Sequence, residues 1–332
     1  MLASRPHGAP KPENFRIETA LRPQPADGQV LLHTIWLSLD PYMRGRMSDG
    51  PSYATPVQIG EVMTAEVVAR VTTSRAPGLA EGDLVLARTG WQEWATADAQ
   101  HVRKLPNTGA TPSTALGVLG MPGMTAWAGL HNIGRPKPGE TVAVAAASGP
   151  VGSMVGQIAK LRGARAVGIA GGPDKCAYVR DTLGLDACID HRDPAMAEQL
   201  KEACPNGIDV YYENVGGAVW DAVLPRLNTF ARIPVCGLVA NYNMTEIPPG
   251  PDRSVGLMRA VLTKRLHIQG FIVWDFAAQE NEFLQEVGTW LREGKIKHRE
   301  DVTEGLEHAP DAFIGMLRGA NFGKTLVRVS PE

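Results

Sequence analysis

Cysteine is scarce in this sequence, and the usual metal-binding spacings are missing. The 332 residues hold four cysteines, none before position 176 and no two in a Cys-x-x-Cys pair: Cys176, Cys188, Cys204 and Cys236. This spacing supports neither a zinc ribbon nor a disulfide framework, and it is typical of free thiols in a reducing compartment. The eight histidines form no ligand pair with a carboxylate or cysteine at helical spacing. No metal site is therefore predicted.

An excess of one charge is also lacking, as are long hydrophobic runs. The chain has 33 basic and 35 acidic side chains, with no basic run interleaved with aromatics. This balance argues against a nucleic-acid partner. The first residues lack the apolar core of a signal peptide, and no stretch approaches membrane-spanning length. We therefore expect a soluble, cytoplasmic protein with no membrane partner.

Two patterns of hydrophobicity divide the chain. Residues 13–118 read as short β segments broken by glycine and proline, and they predict a compact, barrel-like β domain. From position 125 onward, helical periods alternate with uncharged strand-like runs, which predicts a doubly wound α/β domain. The chain is long enough for both domains, and 44% of its residues are hydrophobic. A ligand cleft is expected at the carboxyl ends of the parallel strands.

The central stretch, residues 138–172, predicts a nucleotide site. An uncharged strand at 141–147 leads into Ala147-x-Gly149-x-x-Gly152, which is followed by a helical period and a second strand at 166–170. Small residues in such a turn let the backbone approach a pyrophosphate, and the amides at the beginning of the helix bind its charge. The position of this glycine pattern between a strand and a helix favours a dinucleotide.

The tip of the second strand favours NADP(H) over NAD(H). An NAD-binding chain usually has a carboxylate there for the ribose hydroxyls, whereas this chain has Gly171 and Gly172, with Lys175 close behind. A 2′-phosphate needs space, amides and a cation. Asp174 is interpreted as the N-cap of a helix over 175–183, pointing away from the ribose.

Several motifs in the same order carry a family resemblance that runs from about residue 13 to the end of the chain. They are residues 38–47, 90–95, 120–127, 212–217 and 321–325, together with the glycine turn. These motifs resemble the zinc-independent medium-chain dehydrogenase/reductases. Within that superfamily, the motifs resemble the branch of leukotriene B4 12-hydroxydehydrogenase/prostaglandin reductase, plant double-bond reductases and bacterial curcumin reductase.

The resemblance implies a fold, an activity and an assembly. It implies a GroES-like β-barrel domain made of residues 1–119 and 295–332, and a Rossmann domain with a doubly wound parallel sheet at 120–294. It implies NADPH-dependent reduction of the carbon–carbon double bond of α,β-unsaturated ketones and aldehydes. It also implies a homodimer, paired across a twofold axis through the edge strand at 266–273.

Conjugate reduction suits a chain without a zinc ligand. Zinc-dependent relatives have a metal-binding cysteine near residues 40–44, where this chain has none. Without a Lewis acid, simple carbonyl reduction loses its usual stabilisation, whereas an enone needs one hydrogen-bond donor at the carbonyl oxygen. Tyr242 is the predicted donor, and the cofactor ribose hydroxyl and water are the alternatives. The resemblance places Tyr53 beside the substrate, and an exposed loop aromatic is the alternative for it. Tyr42 and Met43 are expected to shape the pocket floor or the domain core. Pocket volume also depends on the loop 247–250.

The resemblance also implies the cofactor-binding residues, by their positions in the motifs. Met124 and Thr125 are predicted at the cleft. Gly149, Val151 and Gly152 are predicted at the pyrophosphate, and Gly171 and Lys175 at the adenosine ribose with its 2′-phosphate. Asn214 and Asn321 are predicted near the nicotinamide.

His191 replaces a family tyrosine that packs by the 2′-phosphate, so His191, Arg192 or neither serves there. Asn214 and Asn321 could instead be turn residues or caps. Arg44 and Arg46 are expected in a surface or domain-interface ion pair, and an anion site is the alternative.

Two other functions stay open. One is a quinone oxidoreductase or other zinc-free dehydrogenase of the same superfamily. The other is a non-enzymatic NADPH-binding protein. The sequence leaves the substrate undetermined, because loops that shape a pocket are poorly predicted from one sequence.

Overall fold

The computed structural model describes residues 1–106, 109–246 and 252–332. The chain divides into two compact units. The first unit holds residues 1–117, 242–245 and 300–332, and the second holds residues 118–241 and 246–299. The loop 247–250 lies outside the described residues. Within the described ranges, no helix combines the length and apolar character needed to cross a membrane.

The elements follow one another as a β-rich stretch, an α/β stretch and a short mixed stretch. The strands are β1 (Gln29–Ser38), β2 (Val67–Ser74), β3 (Leu84–Ala87), β4 (Trp94–Asp98), β5 (Arg103–Lys104), β6 (Thr141–Ala145), β7 (Arg165–Ala170), β8 (Ala187–Asp190), β9 (Ile208–Tyr212), β10 (Leu227–Val235), β11 (His267–Gly270), β12 (Glu300–Glu304) and β13 (Lys324–Arg328). The helices are α1 (Met43–Arg46), α2 (Met121–Ala128), α3 (Pro150–Leu161), α4 (Pro173–Ala177), α5 (Met196–Ala203), α6 (Gly217–Val223), α7 (Ser254–Lys264), α8 (Glu280–Arg292) and α9 (Ala309–Leu317).

A mixed sheet organises the first unit. Its strand order is β12-β13-β1-β2-β3-β5, and β4 also pairs with β1. The β12 and β13 strands run parallel, and the other pairs are antiparallel. The β1 strand is central because its ten residues are mostly apolar or β-branched, so both faces can be buried. Its side chains pack into the apolar core of this unit together with α9.

A buried ion pair joins the end of β1 to the beginning of β13. Lys324 Nζ donates to the Asp40 carboxylate at 2.6 Å and to the Leu39 carbonyl at 2.9 Å. The two charged side chains are only 3% and 5% exposed, and the Ser38 hydroxyl donates to the other Asp40 oxygen. Charges buried this deeply persist only when paired and hydrogen-bonded. Two motifs that carry the resemblance, 38–47 and 321–325, therefore meet here.

A parallel sheet organises the second unit. Its strand order is β11-β10-β9-β6-β7-β8, with every pair parallel. Val142 and Val144 of β6 belong to one apolar cluster, and Ala143 and Ala145 belong to another. This alternation explains why the strand is uncharged throughout. The chain order reverses beside β6, which makes the carboxyl ends of β6 and β9 a topological switch point. The predicted α/β fold class, a β domain with a Rossmann parallel-sheet domain, is confirmed.

Two local predictions at this sheet are wrong. The β6 strand ends at Ala145 rather than at position 147, because Ala146 adopts a left-handed conformation with φ +53°. Asp174 is not an N-cap, because α4 begins at Pro173 and Gly172 occupies the capping position with φ +95°. Proline suits the first helical position since its φ is already fixed and its missing N–H has no helical partner there.

Candidate active site

The turn between β6 and α3 brings the predicted pyrophosphate residues together. Gly149 is the N-cap of α3, and its carbonyl accepts a hydrogen bond from the Ser153 amide at 2.9 Å. Val151 packs against the apolar core, and a Cβ added to Gly152 would lie 2.3 Å from the Ala146 carbonyl oxygen. Only glycine fits at position 152. The first-turn amides of a 12-residue helix, with its dipole, are a favourable place for an anion.

The loop after β7 carries Gly171 and Gly172 and is held by a carboxylate from β8. Asp190 Oδ1 accepts hydrogen bonds from the Arg192 amide at 3.0 Å and the Gly172 amide at 2.9 Å. These two amides lower the pKa of Asp190. Lys175 follows in α4 and is partly buried. The residues predicted for the 2′-phosphate therefore surround one loop.

His191 lies beside the same loop. Its amide donates to the Ala170 carbonyl at 2.9 Å, so its backbone continues the pairing of β8 with β7. Partial loss of hydration, followed by the charge of Arg192, lowers the pKa of the His191 imidazole. The ring is therefore neutral at neutral pH and offers a hydrogen bond rather than a charge.

Asn214 lies at the carboxyl end of β9 and bridges to the neighbouring strand. Its Nδ2 donates to the Ala145 carbonyl at 2.9 Å. The Glu213 carboxylate supports this turn by accepting the Val215 amide at 2.7 Å and the Gly216 amide at 2.8 Å. Burial raises the pKa of Glu213, and these amide donors oppose the shift. Asn214 is not a helix cap, since Gly216 occupies the N-cap of α6.

Met124 and Thr125 are buried in α2, which is tied to the end of β9. The Thr125 hydroxyl donates to the Met121 carbonyl at 2.7 Å. The Tyr212 hydroxyl donates to the Thr125 carbonyl at 2.6 Å. This contact fixes α2 to the strand that carries Asn214. The predicted cofactor residues of the second unit thus gather at the carboxyl ends of β6, β7, β8 and β9 and on α2.

In the first unit, the predicted substrate tyrosines gather around Arg46. The Arg46 guanidinium carbon lies 4.9 Å from the centre of the Tyr53 ring and 5.6 Å from that of Tyr42. Tyr53 is exposed, and burial raises the pKa of Tyr42, so its phenol stays protonated. Met43 is fully buried in the apolar core of this unit.

The prediction of a surface or interface ion pair for Arg44 and Arg46 is wrong. Both side chains are buried. Arg44 satisfies its guanidinium with neutral groups, namely the Gly8 carbonyl at 2.8 Å, the Ser48 hydroxyl at 2.8 Å and the Asn243 amide oxygen at 3.1 Å. The short α1 helix places both arginines inside the unit because its first residue, Met43, is anchored in the core.

Tyr242 and Asn321 occupy turns of the first unit. Tyr242 is half-buried, next to the Asn243 that Arg44 contacts. Asn321 Nδ2 donates to the Gly323 carbonyl at 2.9 Å, directly before β13. Asn321 therefore makes the contact of a turn-forming residue, and its nicotinamide contact stays a prediction.

Sequence reasoning missed two carboxylates that hold the loops of the second unit. Asp190 and Glu213 each follow an apolar run at the end of a parallel strand. That position was the available signal, because backbone amides of the following turn are in reach there. Over the described ranges, no group of three or more histidine, cysteine, aspartate or glutamate side chains is arranged to hold a metal ion.

Comparison with known proteins places this geometry among oxidoreductases. Residues 1–105 match the family described as the N-terminal domain of oxidoreductase, and residues 150–289 match the family described as zinc-binding dehydrogenase. The chain is 58% identical to the NADPH-dependent curcumin reductase of Escherichia coli (strain K12), over 100% of this chain and 96% of that protein. It is 41% identical to prostaglandin reductase 1 of Rattus norvegicus, over 97% of this chain and 95% of that protein.

A solved structure is also similar to this chain along its whole length. The crystal structure of CurA from Vibrio vulnificus in complex with NADPH superposes with a TM-score of 0.96. That protein is 54% identical, and the match covers 100% of this chain and 98% of that chain.

Proposed function

Since this chain belongs to the medium-chain dehydrogenase/reductase superfamily, in the branch of curcumin reductase and prostaglandin reductase, we propose that it reduces the carbon–carbon double bond of α,β-unsaturated ketones and aldehydes with NADPH. The observation that carries the proposal is the turn at the end of β6. It leaves no room for a side chain at Gly152, begins a helix whose first amides would bind an anion, and lies beside a β7 tip that has no carboxylate. These residues fit NADP(H).

Each predicted cofactor residue has a role in this proposal. Gly149, Val151 and Gly152 would bind the pyrophosphate through backbone amides. Gly171, Lys175 and His191 would surround the 2′-phosphate. Met124, Thr125, Asn214 and Asn321 would contact the nicotinamide side. The division into a catalytic domain at 1–119 with 295–332 and a cofactor domain at 120–294 is part of the same proposal.

NADPH, when bound, supplies a hydride to the β-carbon of the substrate. The protein must then stabilise the negative charge that spreads onto the carbonyl oxygen and allow protonation of the α-carbon. One phenol can do the first task, because its proton is retained at neutral pH. We propose Tyr242 for this role, and the ribose hydroxyl and water are the other available donors.

The substrate would lie against Tyr53 and Tyr42. Arg46 contacts both rings and is itself 7% exposed, so it holds the two aromatic groups near each other. Met43 would support these side chains by packing α1 into the apolar core of the first unit. Aromatic rings in this arrangement suit a flat, conjugated substrate.

We propose that the reaction needs no zinc and takes place in the cytoplasm. The described residues offer no metal-ligand cluster, although one matching family is described as zinc-binding. All four cysteines are free thiols, which suits a reducing compartment.

The experiment that tests the function is an assay of NADPH oxidation with a linear aliphatic enone, repeated with NADH and followed by mass analysis of the product. A saturated ketone formed with NADPH preference is the expected result. An allylic alcohol, or turnover only with quinones, would instead indicate another zinc-free dehydrogenase. Cofactor binding without any turnover across enones and quinones would indicate a non-enzymatic NADPH-binding protein.

Replacing Tyr242 with phenylalanine is expected to lower kcat by about 10- to 100-fold with little change in the KM for NADPH. The change removes a donor to the developing oxyanion and leaves the ring in place. Steady-state kinetics on the enone measure both constants, with Tyr178→Phe in the second unit as the matched control. An unchanged kcat would exclude Tyr242 and assign the donor role to the cofactor ribose or to water.

We also propose that two copies of the chain associate through the β11 edge and α7. All four residues of β11 are exposed at the edge of the parallel sheet. No residue of α7 is buried, and it presents Val255, Met258 and Leu262 on one helical face at 71%, 63% and 76% exposure. An open strand edge beside an apolar face is an unstable combination in a monomer. A second copy would continue the sheet and cover the face.

Replacing Met258 with glutamate is expected to convert the dimer into a monomer in sedimentation velocity. A charge buried at the contact without a partner costs several kcal/mol, which weakens association by about 100-fold or more. Leu21→Glu is the control, because Leu21 is 95% exposed in the other unit. A Met258→Glu protein that still sediments as a dimer would rule out this surface.

A further inference from the structure

The guanidinium of Arg192 lies against the loop that follows β7. A Cβ added to Gly171 would lie 3.2 Å from Arg192 Nη2 and 3.3 Å from its Nε. A Cβ added to Gly172 would lie 3.3 Å from Arg192 Nη1. All three guanidinium nitrogens therefore occupy the space that side chains would take at this strand tip. The two glycines make room for the cation.

Within the protein, the charge of Arg192 acts on Asp190 and His191 through space and lowers the pKa of each. Across the ranges 1–106, 109–246 and 252–332, no hydrogen bond or ion pair of the Arg192 side chain is found, and the side chain is exposed. Other arginines and lysines nearby do have partners: Lys160 pairs with Asp186 at 2.8 Å, and Arg180 lies 3.9 Å from Asp181. An arginine held over a loop with its donors unused is available for an external anion.

The backbone explains why Arg192 stays in this position. Asp190 Oδ1 accepts the amides of both Gly172 and Arg192, so one carboxylate oxygen ties the loop after β7 to the residue that carries the guanidinium. The carboxylate is thereby engaged with backbone donors. The parallel pairing of Ala170 with Asp190 sets the two loops side by side.

We propose that Arg192, rather than His191, pairs with the 2′-phosphate of the cofactor and that it is the main determinant of the preference for NADPH. A guanidinium fork matches two oxygens of a phosphate, and such charge-assisted bonds are about twice as strong as neutral ones. His191 contributes a neutral ring whose Nε2 would be 2.8 Å from a Cβ on Gly171. The inference rests on the cofactor part of the proposed function and is independent of the substrate.

The same geometry explains the missing carboxylate at the strand tip. A side chain at position 171 or 172 would take the place of the guanidinium. An aspartate there, as in NAD-binding chains, would displace Arg192 as well as repel the phosphate. One pair of glycines thus excludes the NAD-type contact and admits the NADP-type contact.

Isothermal titration calorimetry with adenosine 2′,5′-bisphosphate tests the assignment without any substrate. We expect Arg192→Gln to weaken binding of this probe by about 10- to 100-fold and to leave binding of adenosine 5′-monophosphate unchanged. His191→Asn is expected to weaken the bisphosphate by less than about threefold. Arg180→Gln, which removes an exposed arginine elsewhere on the same connection, should bind both probes as the native protein does.

Three results would overturn the proposal. Native affinity of Arg192→Gln for the bisphosphate would remove Arg192 from the phosphate site, and a large loss in His191→Asn alone would assign the contact to the histidine. Equal losses for both probes in Arg192→Gln would mean that the arginine supports the loop instead of pairing with the phosphate. Because neither probe carries nicotinamide, a failure of the enone assay would leave this result unaffected.

Discussion

Replacing Gly152 with alanine is expected to weaken NADPH binding by about 100-fold or more and to lower the melting temperature. The added Cβ would lie 2.3 Å from the Ala146 carbonyl oxygen, 2.7 Å from its carbonyl carbon and 2.9 Å from the Ala147 Cα. All three are backbone atoms, so the turn itself must move. Losing two hydrogen bonds from backbone amides to the charged pyrophosphate, each worth about 1.5–3 kcal/mol, weakens binding by about 100-fold or more.

Calorimetric titration with NADPH and a thermal melt measure the two effects. Gly288→Ala in α8 is the matched control, since the nearest atom to its added Cβ is the flexible Arg292 Nη1 at 3.4 Å. This control should bind NADPH normally. A Gly152→Ala protein with native affinity would mean that the pyrophosphate does not lie on this turn.

Replacing Lys324 with methionine is expected to cost about 3–5 kcal/mol of unfolding free energy. The change leaves the Asp40 carboxylate buried without its cation and removes a donor from the Leu39 carbonyl. Breaking a buried pair from one side is far more costly than losing an exposed one. Denaturant unfolding monitored by tryptophan fluorescence measures the loss.

Two further variants separate burial from charge. Asp40→Leu combined with Lys324→Met should recover a large part of the loss, because no buried charge is then left alone. Arg328→Gln, in the same strand, breaks an exposed pair with Glu304 and should cost no more than about 1 kcal/mol. Equal losses in Lys324→Met and Arg328→Gln would contradict the role given to burial.

The central strand, turn and helix were predictable because periodicity and glycine spacing act over a few residues. The strand from Thr141 to Ala145, the glycine turn after it and the helix α3 all follow from local sequence. The end of β6 was misjudged because a left-handed alanine is unusual, and a strand pattern does not reveal it.

Contacts between distant segments were not predictable. Asp40 and Lys324 are 284 positions apart, and neither sequence motif predicts that it pairs with the other. The burial of Arg44 and Arg46 likewise depends on how α1 packs through Met43, and the composition of the helix does not predict that packing. The choice between His191 and Arg192 needed the position of β8 beside β7, because the two residues are adjacent in sequence and differ only in where their side chains lie.

The placement of β13 beside β1 has a consequence for biosynthesis. The second unit is nearly continuous in sequence, whereas the first draws on residues 1–117, 242–245 and 300–332. While the ribosome translates the second unit, β1 has been made but β13, which pairs with it, has not. The Asp40 carboxylate therefore lacks its partner Lys324 during this time. The amino-terminal part of the first unit must therefore remain incomplete until β13 has been translated, and the Rossmann unit is free to fold before then.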